Sequence, residues 1–365
     1  MRGAPGTESA RRRAEGTKRA RTTAWETRGP TTPAPSEDFT IGVEEEYQIL
    51  DPTTRGLCQQ VAQILPGAKA RDGAIGPELQ LSQIEAGTPV CVTLADVRAE
   101  LTTLRQEVIR EAERQGTLIG AAGTHPFSHW SEQAITPKAR YLVLASDYAQ
   151  TAAEQMVFGC HVHIGIADRE AAIQTMNRVR PWLATILALG ANSPFWLGED
   201  TGYASYRSNV CGRWPTAGTP STFASRAEYD KLIRVLEDTG SIRDGSKIYW
   251  DVRPSARFET LEFRVTDVCL RVDEAVMIAG LARALARTCH DDAARDAPMT
   301  SVSPELLRAA KWRAARFGLE DSLIDIENGR PVAAPELVRR LLDFVRPSLE
   351  DDGDWDEVST AVEET

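Results

Sequence analysis

The segment at residues 39–51, FTIGVEEEYQILD, constrains the fold most, because apolar and polar residues alternate along it. Within residues 41–49, four apolar residues share one parity, whereas Glu44 and Glu46 share the other with a glycine and a glutamine. Side chains alternate between the two faces of a strand, so this segment is predicted to be a strand with an apolar face and an acidic face. Glu45 is the one charge on the apolar parity within residues 41–49. Two carboxylates on one face repel each other unless a cation lies between them.

The same two-faced pattern returns in four later segments, which makes the acidic face informative. These segments are residues 78–90, 157–166, 246–253 and 259–266. The alternation slips within residues 78–90, where a β-bulge near Ser82 and Gln83 would return Glu85 to the face of Glu78. Without a bulge, the two carboxylates face opposite ways.

Between these segments, apolar residues recur at the spacing of three and four that is typical of amphipathic helices. The predicted helices are residues 93–116, 138–156, 168–189, 225–238, 273–290, 303–317 and 335–345. Pro181 is expected to break or kink the third of them. Half-buried strands favour an antiparallel sheet, and the helices can cover its apolar face, so the predicted fold class is α+β. Residues 192–222 form a long irregular segment, predicted to be a binding loop or lid.

Composition excludes several classes of protein. The net charge of −11 argues against a general nucleic-acid binder, and no apolar run approaches the length of a membrane span. Six scattered cysteines without a C-x-x-C pair argue against a zinc ribbon or a disulfide framework and favour a reducing cytoplasm.

The two ends of the chain differ in charge from the middle. Residues 1–37 are basic and lack apolar periodicity, so they are predicted to be a disordered extension. Residues 350–365 are acidic and are predicted to fray as a tail. Residues 38–349 are therefore predicted to form a single domain.

The polar parities of the five predicted strands carry chemically useful groups. Carboxylates with one or two imidazoles suit Mg²⁺ or Mn²⁺ bridging phosphate oxygens, and arginines suit carboxylates and phosphates. If the strands are neighbours, one concave face with the equipment of phosphoryl transfer results. The residues concerned are Glu44, Glu46, Glu78, His161, His163, Asp251, Arg253, Glu262 and Arg264.

Other interpretations of these residues stay open. Taken alone, Glu44 and Glu46 are as typical of a solvated strand face as of a metal site. Taken alone, His161 and His163 would more often pack or form hydrogen bonds than bind a metal. A metal-dependent hydrolase could use the two histidines and the glutamates to activate water, although the chain has only five histidines. A third hypothesis is a non-catalytic relative that binds nucleotide or metal.

Longer motifs carry a family resemblance over residues 40–345. The chain resembles the carboxylate–amine ligases of glutamate–cysteine ligase type 2, the YbdK-like group. One departure is the Ala-Gly that follows Glu85, where β-forming residues are usual. The motifs are GVEEEYQILD at 42–51, SQIEAGTPV at 82–90, GTHPF at 123–127, FGCHVHIGI at 158–166 and IYWDVRPSARFETLEFRVTD at 248–267.

The resemblance implies a fold and a reaction. The fold is similar to the catalytic domain of glutamine synthetase, a curved antiparallel sheet forming a half-funnel with helices outside. The implied reaction is ATP-dependent: the γ-carboxylate of glutamate takes a phosphoryl group, and the amine of cysteine attacks the acyl phosphate. Members of the group are commonly weak with cysteine, so a similar carboxylate or another amine is left open. Mg²⁺ or Mn²⁺ would hold the triphosphate.

The resemblance also implies roles for individual residues. The metal ligands would be Glu44, Glu46, Glu78, Glu85, His161 and Glu262. Arg264 would be catalytic, facing the transferring phosphoryl group or the glutamate. Substrate and nucleotide would be bound by Arg207, His163, Arg253 and Arg257. Small-molecule substrates, without nucleic acid or membrane, are the expected partners, and a homodimer is left open.

Overall fold

The computed structural model describes residues 38–68 and 74–365. Its centre is a seven-stranded sheet in which every strand pairing is antiparallel, in the order β2-β3-β1-β5-β9-β8, with β4 also pairing with β1. The strands of this sheet are β1 (Ile41–Leu50), β2 (Ile75–Pro77), β3 (Gln83–Gly87), β4 (Leu118–Gly120), β5 (Gly159–Gly165), β8 (Val252–Pro254) and β9 (Thr260–Asp267). Two small hairpins lie outside it: β6 (Phe195–Trp196) with β7 (Glu199–Asp200), and β10 (Ser322–Asp325) with β11 (Arg330–Ala333).

Helices cover the apolar face of this sheet, so the predicted α+β fold with an antiparallel sheet is confirmed. The helices are α1 (Val61–Ile64), α2 (Leu94–Arg114), α3 (Ala139–Tyr148), α4 (Gln150–Ala153), α5 (Arg169–Val179), α6 (Leu183–Leu189), α7 (Arg207–Cys211), α8 (Arg226–Asp238), α9 (Val272–Ala294), α10 (Pro304–Phe317), α11 (Ala334–Asp352) and α12 (Trp355–Glu364). None of the helices in the described ranges is long and apolar enough to cross a membrane.

Local signals account for the ends of several helices. Thr93 caps α2 in a reciprocal capping box with Asp96, as its position before the apolar stripe predicts. Pro181 lies in a short 3₁₀ turn that separates α5 from α6, which confirms the predicted break. The helix predicted over residues 138–156 is instead two helices, because Ala149 adopts a φ of 47° between them.

The main core lies between the sheet and α9. Helix α9 is buried along most of its length, with α2, α5, α11 and α12 packed around it. The apolar residues of β1, β5 and β9 contribute the sheet side of this core. Alternation in those strands therefore directs their polar residues to the opposite face of the sheet.

The predicted strand over residues 78–90 is wrong, because this region is a hairpin. Strand β2 pairs with β3, with Gly76 opposite Glu85, and the chain turns between them. The turn is closed at Gln83, whose backbone N–H donates to the Gln80 carbonyl and whose side chain accepts from the Gln80 N–H. The slip in alternation therefore reflects a chain reversal rather than a bulge.

The strand predicted over residues 246–253 is also shorter than expected. Residues Gly245–Lys247 form a 3₁₀ turn, and only Val252–Pro254 pair with β9. The alternation still describes burial correctly, since Ile248 and Val252 are fully buried on the apolar side.

The acidic C-terminal stretch is folded, so the prediction that it frays is wrong. Helix α11 continues through the predicted domain end at residue 349 to Asp352. Helix α12 then packs on α9 through Val358 and Val362, which are one turn apart. Buried Arg283 of α9 pairs with Asp354, so part of the acidic charge is neutralised there. The predicted disordered extension at residues 1–37 lies outside the described residues.

Candidate active site

A cavity of about 770 Å³ opens on the polar face of the sheet. Ten of the eleven predicted site residues line it, which confirms that the separated segments meet on one surface. An adjoining inner pocket of about 100 Å³ contains the eleventh, Arg207. The ten are Glu44, Glu46, Glu78, Glu85, His161, His163, Arg253, Arg257, Glu262 and Arg264.

The strand register explains why these groups converge. On β1, Glu44 lies opposite His161 of β5, and Glu46 lies opposite Glu85 of β3. On the far side of β5, His163 lies opposite Glu262 of β9, which in turn lies opposite Arg253 of β8. Directly opposed residues have Cβ atoms about 5 Å apart, so each pair is within side-chain reach.

One cluster of possible metal ligands joins three strands. Ligand atoms of Glu44, His163 and Glu262 all lie within 4.8 Å of one another. His163 Nε2 lies 3.5 Å from Glu44 Oε1 and 4.0 Å from Glu262 Oε1. Its Nδ1 is 2.9 Å from the Thr260 hydroxyl, which fixes the ring orientation. A ring held at one nitrogen with the other facing carboxylates is the usual arrangement of a ligating histidine.

A second cluster consists of Glu46, Glu78 and Glu85. Burial, followed by the charge of Glu78, raises the pKa of Glu46 to about 7. Burial, followed by the charges of Glu44, Glu78 and Glu46, raises the pKa of Glu85 well above its usual value. Hydrogen bonds hold two of these carboxylates, since the Gly159 N–H donates to Glu46 Oε2 at 2.6 Å and the Tyr141 hydroxyl donates to Glu78. Carboxylates crowded at this density favour a bound cation.

Two arginines surround Glu262. Arg253 donates from Nε to Glu262 Oε2 at 2.7 Å, and Arg264 donates to the other oxygen. Although burial opposes ionisation, Arg264 and Arg253 hold the pKa of Glu262 far below its usual value. Glu262 is therefore a permanent anion that fixes both guanidinium groups at the cavity wall.

His161 is buried, and neither ring nitrogen has a hydrogen-bond partner within residues 38–68 and 74–365. The β5–β9 pairing shifts between Cys160 and Val162, so His161 has no partner residue on β9. Burial, followed by the charge of Arg264, lowers its pKa to about 4, so the ring is neutral at pH 7. Its Nδ1 lies 3.5 Å from Glu44 Oε2. Such a neutral imidazole beside a carboxylate is suited to contact with a bound metal ion or substrate.

Arg207 begins the short helix α7 within the predicted binding loop and is buried in the lining of the inner pocket. Its backbone N–H donates to the Ser193 hydroxyl, and its Nη1 lies 3.9 Å from Asp267 Oδ1. Fully buried Asp267 also accepts hydrogen bonds from the hydroxyls of Ser193 and Ser205, so it anchors the loop to the end of β9. The guanidinium packs against Gly159, where a side chain would collide with it.

Further site residues were not predicted from the sequence. Lys138, Arg140 and Lys247 add positive charge to the main cavity, and Lys311 of α10 lines the inner pocket. Lys247 shares the polar parity of residues 246–253, which was an available signal. No pattern in the sequence indicates that α10, far along the chain, reaches the site.

Glu45, the charge on the apolar parity, has a structural role. It is fully buried beneath the sheet, where Arg105 of α2 donates two hydrogen bonds to its carboxylate, at 2.9 and 2.6 Å. Arg105 also donates to the backbone carbonyls of Cys269 and Leu270. Of the three consecutive glutamates, Glu44 and Glu46 therefore line the polar cavity, whereas Glu45 forms a buried ion pair.

Comparisons with known proteins agree on one family. The family model described as glutamate-cysteine ligase family 2 matches residues 40–364. A protein of Frankia alni named "Putative glutamate--cysteine ligase 2-2" is 42% identical over 89% of this chain and 88% of its own length.

Solved structures share the fold at low sequence identity. A glutamate–cysteine ligase from Francisella tularensis in complex with AMP has a TM-score of 0.66 and 13% identity, covering 90% of this chain and 82% of that chain. A bifunctional glutathione synthetase from Pasteurella multocida has a TM-score of 0.64 and 16% identity. That match covers 90% of this chain but 47% of the bifunctional protein, so this chain spans about half of its length.

Proposed function

The chain belongs to glutamate–cysteine ligase family 2, and from this premise we propose that it is an ATP-dependent carboxylate–amine ligase. The acid substrate would be glutamate or a similar carboxylate, activated as a γ-glutamyl phosphate. The amine would be cysteine or another amine. All six cysteines lie in the described ranges and are unpaired, which supports a reducing compartment such as the cytoplasm.

One observation carries the proposal: acids, imidazoles and guanidinium groups from β1, β3, β5, β8 and β9 converge in a single cavity. Its volume of about 770 Å³ is in the range of sites for nucleotide-sized ligands. Opposed charges fixed in advance on strands are what phosphoryl transfer requires, because the protein mainly positions groups and neutralises developing charge.

We propose that Mg²⁺ or Mn²⁺ is bound by the two carboxylate clusters. Glu44, His163 and Glu262 fit one cation by their convergence. The nitrogens of His161, which have no hydrogen-bond partner in the described part of the chain, fit the same region. The crowded carboxylates of Glu46, Glu78 and Glu85 fit another, since their mutual repulsion is relieved by a cation. The bound ions would neutralise the triphosphate and orient it for transfer.

The arginines of the cavity wall would bind the anionic parts of the reaction. Arg264, which is held by Glu262, would neutralise charge on the phosphoryl group as it moves to the acid. Arg253 and Arg257 line the same cavity and would contact the nucleotide phosphates.

An ADP-release assay tests this function. Purified protein is given ATP and Mg²⁺ or Mn²⁺ with each member of a panel of acids, glutamate included, and a panel of amines, cysteine included. ADP release that requires both an acid and an amine is expected. ATP-independent hydrolysis of a substrate would instead favour the metal-dependent hydrolase, and nucleotide binding without turnover would favour a non-catalytic relative.

A further inference from the structure

Glu78 is held in the cavity differently from the other carboxylates that line it. Glu44, Glu46 and Glu262 lie within paired strands, where the register with the neighbouring strand fixes their direction. Glu78 follows the last residue of β2 and lies just outside the strand. The orientation of its side chain therefore depends on contacts other than those of the sheet.

The neighbouring carboxylates act against an inward orientation of Glu78. Its charge acts on both Glu46 and Glu85, and like charges repel. An unrestrained carboxylate would turn away from this cluster and would have to return before it could bind a cation. Such a reorientation lowers affinity, whereas a carboxylate held in place avoids that cost.

Tyr141 of α3 supplies the contact that holds Glu78. Its buried hydroxyl donates a hydrogen bond to Glu78 Oε2 at 2.5 Å, and the same oxygen lies 3.2 Å from the Pro77 carbonyl oxygen. Thr136 holds the backbone at this point, because its hydroxyl donates to the Glu78 carbonyl at 2.6 Å. Both the main chain and the side chain of Glu78 are thus fixed by the segment that leads into α3.

The ring of Tyr141 is itself fixed by its surroundings. It packs in a small apolar cluster with Leu79, Leu144 and Trp214. The guanidinium of Arg140, which lines the cavity, lies 4.7 Å from the centroid of the ring, within the range of a cation–π interaction. A ring confined in this way directs its hydroxyl at one carboxylate oxygen.

From these contacts we infer that Tyr141 is a positioning residue for a divalent-cation site that includes Glu78. The hydrogen bond needs one oxygen of the carboxylate, so the other can face a cation while the side chain stays directed into the cluster. Ligating carboxylates in metal sites are in turn held by hydrogen bonds of this kind. The inference rests on the cation sites of the proposed function and adds to them a residue from outside the sheet.

Tyr141→Phe isolates the role of the hydroxyl, because it keeps the ring, its packing and the contact with Arg140. Loss of such a supporting contact should weaken binding of Mn²⁺ at one site about 10- to 100-fold. The Mg²⁺ concentration for half-maximal ADP release should rise by a similar factor. At saturating Mg²⁺, kcat should stay within a few-fold of the wild type, because excess cation draws the carboxylate back into the cluster.

Titration with Mn²⁺, in which electron paramagnetic resonance measures the free ion, tests binding without turnover. It is carried out on the whole protein with and without ADP. Tyr148→Phe is the matched control, since Tyr148 ends the same helix and its hydroxyl donates to the backbone carbonyl of exposed Ser241. This control should leave Mn²⁺ affinity unchanged. A lower melting temperature of Tyr141→Phe with unchanged Mn²⁺ affinity would show a purely structural role and overturn the inference.

Glu78→Gln tests whether Tyr141 acts through Glu78. Adding Tyr141→Phe to this variant should weaken Mn²⁺ binding less than two-fold further, and additive losses would overturn the inference. Failure of the inference is distinguishable from failure of the proposed function. A wild type that binds Mn²⁺ more tightly than Tyr141→Phe but releases no ADP would count against the ligase alone. A wild type that binds no Mn²⁺, with or without ADP, would overturn the cation sites and the inference together.

Discussion

Replacing Gly159 by alanine should disable the site without unfolding the protein. A Cβ at this position would lie 2.3 Å from Arg207 Nη2, 2.9 Å from Arg207 Cζ and 3.0 Å from His161 Nε2. Gly159 has a negative φ at the start of β5, so alanine suits the backbone, and only the buried guanidinium and the imidazole must move.

The magnitude follows from the contact that is lost. A displaced Arg207 forfeits about one charge-assisted interaction with substrate, worth about 1.5–3 kcal/mol. At 1.36 kcal/mol for each factor of ten, kcat/KM for the acid should fall about 10- to 150-fold. Movement of His161 would add a loss in kcat.

Steady-state ADP release with the acid varied at saturating ATP measures this effect, and thermal unfolding measures stability. Gly42→Ala is a matched control, because Gly42 lies on β1 directly opposite His163 of β5. Its Cβ would make only an ordinary contact, 3.5 Å from His163 Cβ. Activity of Gly159→Ala within two-fold of the control would refute the role given to Arg207. A large fall in its melting temperature would refute the claim that the collision is confined to side chains.

Three further predictions concern the acids of β1 and the cations. Glu46→Gln removes charge from a proposed cation site that is crowded with carboxylates, so it should abolish ADP release and leave the melting temperature nearly unchanged. Normal activity with normal metal dependence would contradict this. Glu45→Gln, one residue away, should lower the free energy of unfolding by about 3–5 kcal/mol, because it leaves Arg105 buried and unpaired; urea denaturation checks this, and an unchanged midpoint would contradict it. Removal of divalent cations by a chelator should abolish ADP release, and either Mg²⁺ or Mn²⁺ should restore it; full activity after chelation would exclude the proposed cation sites.

Much of the site is predictable from alternation alone. Residues that share a parity on neighbouring strands share a face, so the sequence alone predicts one surface for Glu44, Glu46, His163 and Glu262. Their mutual distances were not predictable, because the register decides which residues are opposed. His161 and His163 have the same parity, yet only His163 is opposite Glu262, and the shift in pairing at Cys160 leaves His161 without a partner on β9.

Other features were not predictable because they depend on competition between local and distant interactions. A slip in alternation is compatible with a bulge or with a reversal, and the turn closed by Gln83 decides for the reversal. The acidic composition of residues 355–364 favours disorder, but burial of Val358 and Val362 against α9 outweighs it.

The inner pocket combines groups from the strands with a group from a distant helix. Strands β1, β5 and β9 supply the groups proposed for phosphoryl transfer, and their alternation identifies them in the sequence. Lys311 comes from α10, whose own pattern is that of an ordinary amphipathic helix, and its approach to Asp251 depends on how α10 packs against α6. Most of the groups proposed for phosphoryl transfer are thus encoded locally in strands, whereas Lys311 reaches the inner pocket through long-range helix packing. Variation in α10 would therefore change the lining of the inner pocket while the strands, and with them most of the phosphoryl-transfer groups, stay the same.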